Sequence, residues 1–208
     1  MAYKSWMEGL NRFFEWFMNI AYLNILWILF TLLGGVVLGA APSTSAMFAV
    51  IRKLFLAEEK VPVTRLFLTY YRKDFFKING LFYCFVVMGI ILLADVYFLM
   101  GMNSEIAAVF LILVGFLSVI YVIALIMFFP VYSHYDVRFF SYFKHSIFIG
   151  IMRPLHVLTM AIGIFVSYYV MLFLPALFFF FGMSLGALII GSVCHHIFLK
   201  IDNSTITQ

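Results

Sequence analysis

Charge is what this chain has least of. Only 11% of its 208 residues are Asp, Glu, Lys or Arg, against roughly 25% in a soluble domain, so a water-facing surface over most of the molecule is excluded. With 66% of residues hydrophobic and 20% aromatic, the bilayer is the solvent. Cysteine is nearly absent. Cys84 and Cys194 lie in or beside apolar runs and outside any pairable motif, which argues against a disulfide framework and leaves the redox compartment open. A Gly-rich nucleotide loop, a Ser-His-Asp set and paired carboxylates are also missing, so no reaction can be derived. Basic residues exceed acidic ones, 13 to 9. They are confined to connections between apolar runs, where the positive-inside rule accounts for them, and nucleic acid is not an expected partner.

What is present is a series of apolar runs long enough to cross a membrane, about 20 residues each. They lie at about 20–41, 81–100, 106–130, 155–174 and 176–196, with a shorter piece at 43–57 that covers about 22 Å at the helical rise. The fold class is therefore all-α: a polytopic helical membrane protein of five to six transmembrane helices, one integral membrane domain over 1–208. Residues 20–33 could serve as the apolar core of a secretory signal, with Gly39-Ala40-Ala41 as a cleavage site. The aromatic, amphipathic stretch before Ile20 and Pro42 just after the cut argue against removal.

Three segments have one apolar and one polar side, as interfacial helices do. The first, Tyr3 to Asn19, sets Trp6, Leu10, Phe13, Phe14 and Phe17 against Lys4, Glu8, Asn11, Arg12 and Glu15. The second, Val63 to Asn79, sets Phe67, Tyr71, Phe75 and Ile78 against Arg65, Thr69, Arg72, Lys73 and Lys77. In the third, Phe139, Phe143 and Ile147 oppose Arg138, Ser141 and His145. Each precedes a helical hairpin, which suggests a loose threefold repeat of interfacial helix plus hairpin. If 43–57 crosses, all 13 Lys and Arg fall on one side; if it does not, Lys4 and Arg12 stand opposite the rest. The positive-inside rule favours the crossing and puts the C-terminus in the cytoplasm under both arrangements.

Within Gly34 to Met47 the apolar run is interrupted by glycines, Pro42 and the hydroxyls Ser43, Thr44 and Ser45. Pro42 is expected to end one helix and open the next, with the hydroxyls capping the new first turn. A broken helix of this kind can face a polar ligand, as discontinuous helices do in transporters. The small-residue pairs Gly35 and Gly39, Gly182 and Gly186, Gly163 and Ser167, and Ala187 and Gly191 fit close helix packing instead, within one chain or between protomers. Asp95, the one acid well within an apolar run, is a candidate ligand or proton-coupling residue, although its position near Met100 also suits the outer interface. His195 and His196 point about 100° apart on a helix, so they do not make a metal pair. His134, His145 and His156, spaced by eleven, are separated by Pro154 and are not read as a site. No metal or cofactor is expected.

The stretch Gly39-Ala-Ala-Pro42-Ser-Thr-Ser45-Ala-Met-Phe-Ala-Val-Ile-Arg52-Lys53 resembles the signature of the YesL family, bacterial membrane proteins of unknown function. The segment Phe67 to Lys77, and Phe129-Pro130 followed by Lys144-His-Ser146, are similar to that family in order and spacing. The resemblance implies a place beside sugar ABC-type uptake systems and brings no catalytic residues to carry over. The expected function is a non-enzymatic accessory or regulatory protein of carbohydrate uptake in the bacterial cell membrane. Its expected partners are the lipid bilayer, sugar ABC permease components and, as a further candidate, a second copy of the chain. The alternative is a small solute transporter using the break at Pro42 to Ser45. A lipid- or glycan-modifying membrane enzyme comes third.

Overall fold

The computed structural model describes the backbone of residues 2–57, 61–102 and 104–206, and the side chains of 10, 14–57, 61–102 and 104–200. Among the described residues there are eight α-helices: α1 Ala2–Leu33, α2 Val37–Leu56, α3 Val63–Lys73, α4 Phe75–Met100, α5 Glu105–His134, α6 Phe139–Met152, α7 Pro154–Phe173 and α8 Pro175–Ile206. Five stretches are long and apolar enough to cross a membrane: Phe14–Leu33, Phe75–Met100, Glu105–His134, Pro154–Phe173 and Pro175–Lys200. The all-helical membrane class thus stands, although several boundaries differ from the sequence expectation. The sides expected for Trp6, Phe13, Lys4, Glu8, Asn11 and Arg12, and the turn expected at 58–60, lie outside the described residues.

The first difference is at the N-terminus, where the amphipathic segment and the first span form one continuous helix. The chain then reverses at Gly34 to Val36, not at Pro42. Gly35 takes φ +74°, the left-handed conformation in which glycine commonly closes a helix. Val36 follows at φ 61°, ψ −64°, and the Val37 amide donates to Gly35 O at 2.7 Å. That is a positive-φ γ-turn, rare and strained for a β-branched residue. The glycine break is tighter than a proline break because Gly34 and Gly39 face each other across it. A Cβ on Gly34 would meet the Gly39 backbone, and one on Gly39 would meet Thr31 O.

Pro42 consequently lies inside α2, whose 20 residues extend about 30 Å rather than 22 Å. A proline in mid-helix removes the N–H that would pair with the carbonyl four residues back, here Leu38 O. Asn79 of α4 replaces that donor, its Nδ2 lying 2.9 Å from Leu38 O. Tyr83 donates to the neighbouring Val37 O at 2.8 Å. Pro130 is likewise inside α5 rather than at its end, and α5 continues to His134. In lipid such prolines persist where neighbouring groups satisfy the freed backbone.

The second amphipathic segment divides at Asp74 into α3 and the start of α4, so Phe67 and Tyr71 belong to one helix and Phe75 and Ile78 to the other. Phe67 and Ile78 are buried and Arg65, Thr69, Arg72 and Lys73 exposed, in keeping with the expected sides. In α6 the buried residues are Tyr142, Ser146, Ile149 and Gly150. The Lys77 ammonium lies over the rings of Tyr132 and Tyr142, 5.7 and 5.1 Å from their centroids, which ties α4, α5 and α6 together. Two of the three expected units, α3 with α4–α5 and α6 with α7–α8, keep a separate short helix before the hairpin.

The core has two clusters. One joins α4, α5 and α6 to the start of α7 and the end of α8, around Phe85, Met127, Phe128, Tyr142 and Met160. The other joins α1, α2 and α3 to α8, around Leu23, Met47, Ile51 and Phe67. Phe129 and Ile190 pack against both. Between the clusters runs α2, buried at Gly39 and at every position from Ala41 to Ile51. It is antiparallel to α1, with Trp16 against Phe55 and Trp27 bonded to Thr44. Its start meets α4 at Asn79 and Tyr83, and its later turns meet α5, where Phe48 stacks on Phe129 and Arg52 bonds to Ser133 O. The α4–α5 hairpin puts those positions at one height, so α2 lies across it and not along it.

Candidate functional site

The signature residues form no open helix terminus. Ser43 is wholly buried and Thr44 and Ser45 are 8% exposed. Thr44 Oγ1 donates back to Ala40 O at 2.7 Å and accepts from Trp27 Nε1 at 2.9 Å. Ser43 Oγ is enclosed with no hydrogen-bond partner among the described residues. The expectation that these hydroxyls cap a new first turn is corrected: that turn is at Val37, well over one helical turn earlier. Asp95 does not join them. It is exposed on α4, twelve residues and about 18 Å beyond Tyr83, toward the Met100 end.

The glycines divide. Gly39 makes a close approach, but its facing glycine is Gly34, while Gly35 serves the turn with nothing within 4 Å of its would-be Cβ. Gly186 has open space, and Gly182 meets only Phe178 of its own helix. Within this chain Gly182 and Gly186 are therefore not points of close approach between helices. The close contacts of α8 are at Gly191, where a Cβ would lie 3.1 Å from Ile51 Cγ2, and opposite Gly163, where one would lie 2.8 Å from Ile189 Cγ2.

Two asparagines to which sequence reading gave no role hold the helices in register. Asn79 ties α4 to Leu38 O of α2. Asn24 is 2% exposed; its Nδ2 donates to Phe179 O at 2.6 Å, and its Oδ1 accepts from the amides of Met183 and Ser184 at 3.0 and 3.1 Å. Phe179 O and the Met183 amide are partners in a regular helix, so the side chain of α1 stands in for a rung of α8. An isolated amide in an apolar run was the available signal.

Where the C-terminal halves of α2, α5 and α8 meet, a small, mostly apolar cavity of about 20 Å³ opens, in which Arg52, Ser133, His134, Cys194 and His195 stand among phenylalanines. That volume holds one or two waters. Arg52 Nη1 donates to Ser133 O at 2.8 Å. The His195 ring stacks on Phe55, centroids 5.4 Å apart, and the His134 ring on Phe198 at 4.3 Å. Gly191, bare of a side chain, lets α8 come close to α2 here. No Asp or Glu lines the cavity, and no three-residue metal-binding group occurs among the described residues. The histidines thus sort differently from their sequence spacing: His134 and His195 share a cavity, His196 is exposed, and His145 Nδ1 lies 2.7 Å from Ser141 O. Arg52 and Ser133 were not singled out from sequence as a site. Arg52, a cation near the end of an apolar helix, carried a signal; Ser133 carried none.

Residues 20–96 match the family described as "Protein of unknown function, DUF624". Three proteins of Bacillus subtilis (strain 168) are similar over most of their length. "Uncharacterized protein YesV" is 38% identical over 83% of this chain and 83% of its own. "Uncharacterized protein YesL" is 34% identical over 94% of this chain and 92% of its own. "Uncharacterized protein YteU" is 32% identical over 97% of this chain and 90% of its own. No solved structure matches the chain. With a signature helix inside the matched region and identity above 30% across most of its length, the protein belongs to the YesL-like family of multi-helix proteins of unknown function.

Proposed function

We propose that this protein is a non-catalytic accessory or regulatory subunit for carbohydrate uptake in the bacterial cell membrane, with its C-terminus in the cytoplasm and sugar ABC permease components as partners. The observation that carries the non-transporting part of this reading is the burial of Ser43 to Ser45. Hydroxyls that would line a substrate path are enclosed, and Thr44 is bonded within the bundle. A helix packed by five neighbours, α1, α3, α4, α5 and α8, suits a scaffold better than a gate. The link to sugars rests on the family resemblance.

The test is co-purification from native membranes with a tag on the C-terminus. Recovery of sugar permease components, together with reduced sugar uptake in the deletion strain, is the expected result. Uptake of a sugar by the purified chain alone in liposomes would overturn the proposal in favour of a transporter. Labelling of a C-terminal cysteine from outside intact cells would overturn the assigned orientation.

A further inference from the structure

We infer that the mouth of the cavity at the junction of α2, α5 and α8 binds a phosphate group, one of whose oxygens enters the space for one or two waters while the rest stays outside, with Arg52 as its principal contact and His195 and His134 as flanking groups. Arg52 is half-buried and carries a charge that no neighbouring carboxylate among the described residues balances. A guanidinium is always protonated and presents five donors in a planar fork, of which one is occupied by Ser133 O. The carbonyl ends of α2 and α5 offset only part of this charge. A partly buried guanidinium with free donors against an apolar wall is a ready contact for an anion, which would engage those donors with charge-assisted hydrogen bonds.

Phosphate fits better than a carboxylate because of where the cavity lies. The apolar stretches stop at His134 in α5 and at Lys200 in α8, and His195 is five residues inside the latter, about 7.5 Å. That is the depth at which headgroup phosphates meet a membrane protein, and basic pockets between helices at this level bind anionic lipid headgroups. The aromatic walls, Phe48 and Phe198, exclude water and strengthen a charged contact. A lipid headgroup and a free phosphate ion share this chemistry, and the experiment separates them.

The full-length protein in a neutral detergent is titrated with inorganic phosphate, with short-chain phosphatidylglycerol and with short-chain diacylglycerol, which has no phosphate, and thermal stability is read. Stabilisation by phosphatidylglycerol and not by diacylglycerol or phosphate ion assigns a lipid headgroup. Stabilisation by phosphate ion as well assigns a soluble phosphate. Arg52→Gln should weaken the response about 10- to 100-fold, the loss of one or two charge-assisted hydrogen bonds. No stabilisation by either phosphate source, or an equal response in Arg52→Gln, overturns the site. Should that variant not survive extraction, native mass spectrometry of the unaltered protein decides. Phosphatidylglycerol retained beyond diacylglycerol supports the site, and equal loss of both overturns it.

Discussion

Asn79 and Pro42 form a matched pair, because one supplies the donor that the other removes. Asn79→Leu leaves Leu38 O without a partner in an apolar setting and should destabilise the fold by about 1–2 kcal/mol, within the range for such bonds between membrane helices. In a Pro42→Ala background the helix regains its own N–H, so the same substitution should cost less than half as much. A double-mutant cycle read by unfolding in mixed micelles measures this coupling, and strictly additive effects would refute the pairing. The buried Ser43 hydroxyl behaves in the opposite sense. It has no partner to lose, so Ser43→Ala should leave stability unchanged or raise it by up to about 1 kcal/mol, whereas Thr44→Val, which breaks the Trp27 bond, should lower it. The same unfolding assay ranks the two.

Among the elements, α1 and α2 depend on one close approach. Gly39→Ala forces a methyl group into the backbone at Thr31 and should reduce stability by more than about 2 kcal/mol, as overpacking does. Gly186→Ala, with open space around it, should fall within about 0.5 kcal/mol of the parent and serves as the control. The two variants also explain what the sequence made legible. Runs such as 81–100 and 155–174 announce spans because hydropathy is a local property. The position of the first reversal was not legible, because Pro42 is the stronger local breaker and is overruled by Asn79 on another helix. Small-residue spacing marked Gly163 and Gly191, which do meet a neighbouring helix, but it also marked Gly182 and Gly186, because only tertiary packing decides which pair a neighbour of the same chain reaches. Arg52, Ser133, His134 and His195 come from three helices, and no window of sequence contains their meeting.

For the molecule as a whole, two apolar clusters share a crosswise helix, so integrity of the fold can be read from a residue deep in one of them. Cys194 is 2% exposed and lies 3.9 Å from Met127 Sδ, whereas Cys84 is exposed on α4. A small membrane-permeant maleimide should label Cys84 at least about tenfold faster than Cys194 in the folded protein, since labelling of a buried thiol waits on local opening. The rates should converge at the unfolding midpoint, and equal rates under native conditions would contradict the packing of α5 against α8. The Asn24 bonds to α8 also bear on how the chain is made. Donor and acceptor of the Asn24–Phe179 bond are 155 residues apart. At about 5–20 residues per second of synthesis, α1 waits roughly 8–30 s before the carbonyl it bonds on α8 exists. Throughout that interval an uncompensated amide sits in α1, so biogenesis must either retain α1 beside the insertion machinery or hold it outside the hydrocarbon until α8 emerges.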